Sequence, residues 1–201
     1  MMSVSAENKN YLKNHIAVKR RILLKTVGAL AATMLPPATF ASNNVPEDAF
    51  LNDFLDRWET SRQYMIDVAQ KMPESEYGFK PTPEQTSFAE QLMHIAAIID
   101  WHGFAKADGQ EFKPRWTEYK IDGLSKIQII SALEDEFERV TELITDFDAA
   151  RLDETSTYGK FTRTRRQFFM LMADHVTHHR AQLLVYLRLK GISPPQYWEF
   201  Q

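Results

Sequence analysis

Two histidines one helical turn apart, His175 and His179, and a glutamine three residues further on, Gln182, fall on an apolar stripe near the C-terminus. Phe168, Met172, His175, His179, Gln182, Tyr186 and Leu189 recur at alternating steps of four and three, the spacing of the face that a helix turns toward its neighbours in a bundle. An unpaired polar group on such a face costs on the order of 1–3 kcal/mol. A bound cation would offset that cost, because imidazoles at i and i+4 present two nitrogens from one side of a helix. A third candidate, His94, begins a similar stripe in an earlier segment, followed by Ile98, Trp101 and Ala105. Three imidazoles with an open position form the ligand set of a catalytic zinc-type site, and imidazole suits nickel, copper or iron equally. The competing reading is a hydrogen-bonded, metal-free core histidine. The i, i+4 pair together with the third residue favours metal.

Around these three, other residues take supporting parts. Gln182 is placed to hydrogen-bond a ligand imidazole or a bound water. His178 is rotated about 100° from His179, so it either replaces a ligand or sits on the rim. His102 lies about 80° round the helix from His94 and is expected on a flank, with Trp101 beside it as a pocket candidate. Asp100 and Asp174 lie near the ligands in sequence but off the stripes, and their roles stay open. No residue stands out as the acid or base of a reaction.

The chain excludes several other chemistries. Its 201 residues include no cysteine, so disulfides, iron–sulfur clusters and thiolate zinc sites are ruled out. Val176 follows His175, so the zinc-protease pattern His-Glu-x-x-His is absent. There is no glycine-rich phosphate loop. Glu90 and His94 are four apart rather than three and have no partner pair, unlike a di-iron bundle.

The elements that must position the histidines are helical. Seven glycines and little strand patterning predict an all-α chain of four helices. The first is expected from about Pro46 to Met72, capped by Asn44 and ended by Pro73. Ser87-Phe88-Ala89-Glu90 reads as a capping box opening a second helix to about Asp108. Ser125-Lys126-Ile127-Gln128 is another, opening a third helix with Leu133, Phe137, Val140 and Ile144 on its buried stripe. Thr164-Arg165-Arg166-Gln167 starts the fourth, which Gly191 ends. Between helices two and three, the connection 109–123 carries Phe112, Trp116 and Tyr119, and is expected to frame a substrate pocket near Trp116. Residues 148–161 read as a plain connection. The tail Gln196–Phe200 is expected to pack back on the helices.

Charge is uneven along the chain. Residues 1–41 hold six Lys/Arg against one Glu, a net +5, which leaves −8 of the total −3 for the remainder. An acidic domain is a poor ligand for nucleic acid. Lys19-Arg20-Arg21-Ile22-Leu23-Leu24-Lys25, then an apolar run to Leu35, then Thr39-Phe40-Ala41, follows the order of a secretory signal. The paired arginines resemble a twin-arginine export signal. Residues 1–41 are therefore expected to be a signal peptide cleaved after Ala41, and 42–201 an exported domain, periplasmic or extracellular. The apolar run of about ten residues is half the length that spans a bilayer, so no stable membrane span is expected after cleavage.

Three stretches carry a family resemblance: Tyr77-Gly78-Phe79-Lys80-Pro81-Thr82-Pro83-Glu84-Gln85, Glu90-Gln91-Leu92-Met93-His94-Ile95-Ala96, and His175-Val176-Thr177-His178-His179-Arg180-Ala181-Gln182-Leu183. Over residues 46–200 the chain resembles the DinB-like superfamily of four-helix metal-binding proteins. The resemblance implies an up-down-down-up bundle that pairs into homodimers. It puts a divalent metal on three histidines, by position His94, His175 and His179. Relatives include bacillithiol S-transferases and mycothiol-dependent isomerases, and an export signal is unusual beside enzymes that use cytosolic thiols. The expected function is a metal-dependent enzyme in which zinc, nickel or iron activates a water or a thiol, a hydrolase or a thiol S-transferase. The alternative is a metal- or ligand-binding helical module without turnover, and a metal-free interaction protein is the third reading.

Overall fold

Each helix begins at a side chain that satisfies its free amides. The computed structural model describes residues 48–110 and 119–201; the proposed export segment, Asn44, Pro46, Phe112 and Trp116 lie outside the described residues. Helix α1 spans Ala49–Lys71 and is capped by Asp48, whose carboxylate accepts from the amides of Phe50 (2.8 Å) and Leu51 (3.1 Å). Leu51, Phe54, Trp58, Met65, Val68 and Ala69 form its buried stripe, and Pro73 bars continuation. A 3-10 turn at Glu74–Glu76 leads to Tyr77, whose hydroxyl donates to the carbonyl of Ala69.

Helix α2 spans Phe88–Asp100 and opens with the expected capping box, in which the Ser87 amide donates to Glu90 and the Glu90 amide donates to the Ser87 hydroxyl. The expected continuation to Asp108 is present, but as a π-helical segment, Trp101–Asp108. Bonds of the i→i+5 type widen the coil and reduce its rotation per residue. The close approach of this segment to the third helix depends on Gly103, where a Cβ would meet a methyl of Val140 at 2.8 Å. Gly109 ends it in the left-handed conformation, φ 81°, against the Arg165 guanidinium.

Helix α3 spans Lys126–Thr145 behind the Ser125/Gln128 box, and α4 spans Arg165–Leu189 behind the Thr164/Gln167 box. Thr164→Ala is expected to cost about 1 kcal/mol of stability, since it frees the Gln167 amide it now satisfies at 3.2 Å. Chemical denaturation measures this, and an unchanged midpoint would contradict the cap. Where the sequence suggests a plain connection, the chain forms a hairpin: β1 (Thr155–Tyr158) pairs antiparallel with β2 (Phe161–Thr164), with Tyr158 opposite Phe161 and Ser156 opposite Arg163. The pairing joins alternating threonines around a Gly159-Lys160 turn, a short β-branched pattern that an all-helical reading passes over.

The described chain is thus mostly helical, with four α-helices and one two-stranded hairpin. Helix α1 packs on α3 and α4, α2 packs on the same two, and the π-helical segment lies on α4. Trp58, Phe88, Phe137, Phe168 and Phe169 are the largest fully buried side chains. In the tail, Phe200 stacks on Tyr64 with ring centroids 4.4 Å apart, as expected, while Trp198 stays exposed. Leu189, assigned to the buried stripe by spacing, is also exposed, because it lies about 200° round the helix from the buried Leu187.

Candidate metal centre

Helix α4 is held in rotation by its buried side: Met172, Val176, Leu183 and Leu187 enter the core, and the buried Arg180 donates to the Ser61 hydroxyl at 2.7 Å and lies over the Tyr64 ring. That orientation turns His175 and His179 toward α2. Helix α2, buried through Leu92, Ile95, Ala96 and Ile99, turns His94 to meet them. The Nε2 atoms of His175 and His94 lie 3.3 Å apart, and those of His179 and His175 lie 2.9 Å apart. One donor nitrogen from each of the three lies within 4.8 Å of the others.

These separations suit a shared cation. Metal–nitrogen bonds of about 2.0–2.1 Å place donors about 3.4 Å apart at tetrahedral angles and about 2.9 Å apart at right angles. The donor set is neutral imidazole, which suits zinc, nickel or iron. Its protonation state also fits. Burial, with the neighbouring imidazoles His94, His175 and His178, pushes His179 down to about 4 from its ordinary 6.5. His94 is lowered by burial, and His175 is lowered by burial and by His94 and His178. At neutral pH the lone pairs are therefore available to a metal.

The same crowding fixes a pH dependence. His102 and His179, both depressed to about 4, stay neutral in the folded chain while the unfolded chain takes up protons below about 6.5. The metal-free protein is expected to be fully stable above pH 6.5 and to lose stability progressively as pH falls toward 4. Thermal midpoints from pH 8 to pH 4 test the sign, and a flat profile through that window would contradict it.

Not every assignment by spacing matches the structure. His94 is exposed rather than core-facing, because it stands at the mouth of a cleft of about 400 Å³ between α2 (Glu90, Met93, Ala97) and residues Tyr119–Asp122. His102 is buried rather than on a flank. The lower rotation of the π-helical segment draws it back toward the histidines, and its ring stands edge-on to His175 at 5.7 Å. Its Nδ1 is buried without a hydrogen-bond partner among the described residues. Trp101 packs against His102 at 4.7 Å. His178 sits on the rim, its Nε2 held by the Gln182 amide nitrogen at 2.8 Å. Asp174 is exposed, and Asp100 is buried and bound to Arg139, which also binds Glu136.

One residue that spacing does not single out does what was expected of Gln182. The buried Gln91, one turn before His94, accepts from His179 Nδ1 through its Oε1 at 2.6 Å and donates through Nε2 to Gln182 Oε1 at 2.8 Å. This fixes the His179 proton on Nδ1 and leaves Nε2 free as a donor to metal. The signal in the sequence is an amide on the buried face of α2, three residues from His94. Gln91→Leu is expected to weaken metal affinity about 10–100-fold, measured by chelator competition. Unchanged affinity would show that the amide does not orient His179.

A crystal structure of a DinB-like protein from Bacillus cereus ATCC 10987 matches with a TM-score of 0.60 at 16% identity, covering 71% of this chain and 94% of that one. The crystal structure of the DinB-like protein YjoA of Bacillus subtilis matches with a TM-score of 0.57 at 20% identity, covering 73% and 98%. At such identities these likenesses define the fold. In sequence, YjoA of Bacillus subtilis (strain 168), named an uncharacterized protein, is 26% identical over 147 residues, or 70% of this chain and 90% of its own length. The model of the DinB superfamily matches residues 57–183. The chain belongs to the DinB superfamily.

Proposed function

We propose that this protein is an exported, metal-dependent enzyme of the DinB superfamily, with residues 1–41 as a twin-arginine-type signal peptide and residues 42–201 as an up-down-down-up four-helix bundle. The observation that carries the reading is the convergence of three neutral imidazole donors from two helices, spaced as ligands of one cation. His94, His175 and His179 would hold a divalent zinc, nickel or iron ion. Such an ion would supply Lewis acidity, lowering the pKa of a water or thiol bound to it.

The chain's own residues set the conditions. Gln91 fixes His179 in the donor tautomer, and Gln182 holds Gln91 and keeps the His178 lone pair engaged, so that His178 would not be a ligand. The exposure of His94 at the cleft gives a reactant access from one side. Three donors among the described residues, rather than four, favour an activating centre over a closed storage or structural one. The acidic balance of residues 42–201 argues against nucleic acid as a partner. Among the described residues no helix is long and apolar enough to cross a membrane. Pairing into homodimers belongs to the same reading.

The test is turnover by the zinc-, nickel- and iron(II)-loaded chain against two probes, an activated ester for hydrolysis and an electrophilic arene with a small thiol for transfer. At least one is expected to react about tenfold or more faster than with the metal-free chain or with His175→Ala, a modest part of what a bound cation supplies. Equal rates in all three would leave a metal-binding module without turnover.

A further inference from the structure

The hairpin is the part of this molecule that the metal centre does not use, and it is chemically distinct. Its residues Thr155–Thr164 contain Lys160 and Arg163 and no acid, in a domain that is otherwise strongly acidic. The pairing places Ser156, Tyr158, Phe161 and Arg163 on one face. That face meets the π-helical segment: Tyr158 stands edge-on to Trp101 at 4.6 Å. Beside this ring pair lies the ammonium of Lys106, 5.4 Å from the Trp101 centroid and 5.6 Å from that of Tyr158.

Lys106 is held there by neutral partners. Its Nζ donates to the Thr157 carbonyl at 3.2 Å, and no carboxylate among the described residues forms an ion pair with it. An ammonium has three donors, so at least two remain for a ligand. The flexible lysine stem is already ordered by two rings and a carbonyl, so little further freedom is lost when an anion binds. A carboxylate at Nζ would gain charge-assisted hydrogen bonds, and a flat apolar body attached to it would find the exposed Tyr158 and the indole of Trp101. Arg163 lies over Phe161 on the same face and adds positive potential. Toward the interior the ring contacts continue from Trp101 to His102 and from His102 to the ligand His175.

We infer that Lys106, Trp101 and Tyr158 form a binding site for a small planar organic anion, an aromatic carboxylate in type, on the flank of the three-histidine centre. That such an anion is the substrate of the centre rests on the metal-dependent reading above; that it binds here rests on the hairpin alone.

The experiment uses benzoate and its neutral isostere benzamide, titrated into the full chain with and without zinc. Binding is followed by the indole N–H resonance of Trp101, assigned with Trp101→Phe. Benzoate is expected to shift that resonance saturably and to bind at least about tenfold more tightly than benzamide. Lys106→Gln should bring the two ligands within about twofold of each other, and Lys106→Arg should restore the preference. A thermal midpoint shows that each variant folds. The site is overturned if benzoate does not saturate, if the two ligands bind alike in the wild type, or if Lys106→Gln keeps the preference. Benzoate binding to a chain that takes up no zinc would leave this site standing and remove the metal reading. Zinc binding without benzoate binding would do the reverse.

Discussion

His175→Ala is expected to abolish stable metal binding, lowering affinity by more than the 10–100-fold that attends loss of a residue orienting a ligand. The expectation follows from position. His175 is the middle of the three, its Nε2 within 3.3 Å of His94 Nε2 and within 2.9 Å of His179 Nε2. Removing it leaves two donors from different helices, a set that holds a divalent ion weakly. The fold should survive, because His175 is half-buried and the core contacts of α4 come from Met172, Val176 and Leu183. Burial is the main cause that depresses His102 and His179, and removal takes away the further contribution of His175, so metal-free His175→Ala should be somewhat less sensitive to acid than the wild type. Chelator competition and the pH profile of the thermal midpoint check the two halves. Affinity within about tenfold of the wild type would remove His175 from the ligand set.

Trp58→Ala has the largest expected effect on folding, a loss of about 3–5 kcal/mol. Trp58 is 1% exposed on α1 and lies against Phe137 of α3 at 4.7 Å, with Phe54 stacked on it at 6.0 Å. Its indole N–H donates to the Phe137 carbonyl at 3.4 Å, a carbonyl that also accepts from the Thr141 hydroxyl. The substitution therefore opens a large cavity between two helices and removes a hydrogen bond, and Trp58 touches none of the three histidines. Stability should fall while metal affinity of the folded protein is kept. Urea denaturation reads the first and metal titration at low temperature the second. A loss below about 1 kcal/mol would mean that the core collapses around the gap.

Much of the helical frame is written in local sequence. The three capping boxes at Ser87, Ser125 and Thr164 are each closed in the structure, because a capping box needs only four consecutive residues to form. The convergence of His175 and His179 is legible for the same reason, since i, i+4 spacing on a regular helix fixes a shared face. What was not legible depends on contacts across the chain. The turn of His102 inward follows from the change of helix type after Asp100, which is tied to the packing of Gly103 on Val140. The exposure of His94 depends on where residues 119–122 pass α2, which periodicity within α2 cannot show. Gln91 reads as a polar interruption until α4 brings His179 within 2.6 Å of it. The hairpin, too, gains its meaning only when Tyr158 reaches Trp101 and Lys106.

The measurement that bears most directly on the account is the metal content of the wild-type chain, purified without chelator, exposed in turn to zinc, nickel and iron(II), and freed of excess by gel filtration. About one divalent ion per chain, retained at neutral pH and released as the pH falls toward 4, is the predicted result. A chain that emerges empty from all three metals would contradict it, and would make His94, His175 and His179 a hydrogen-bonded polar cluster in a helical binding protein.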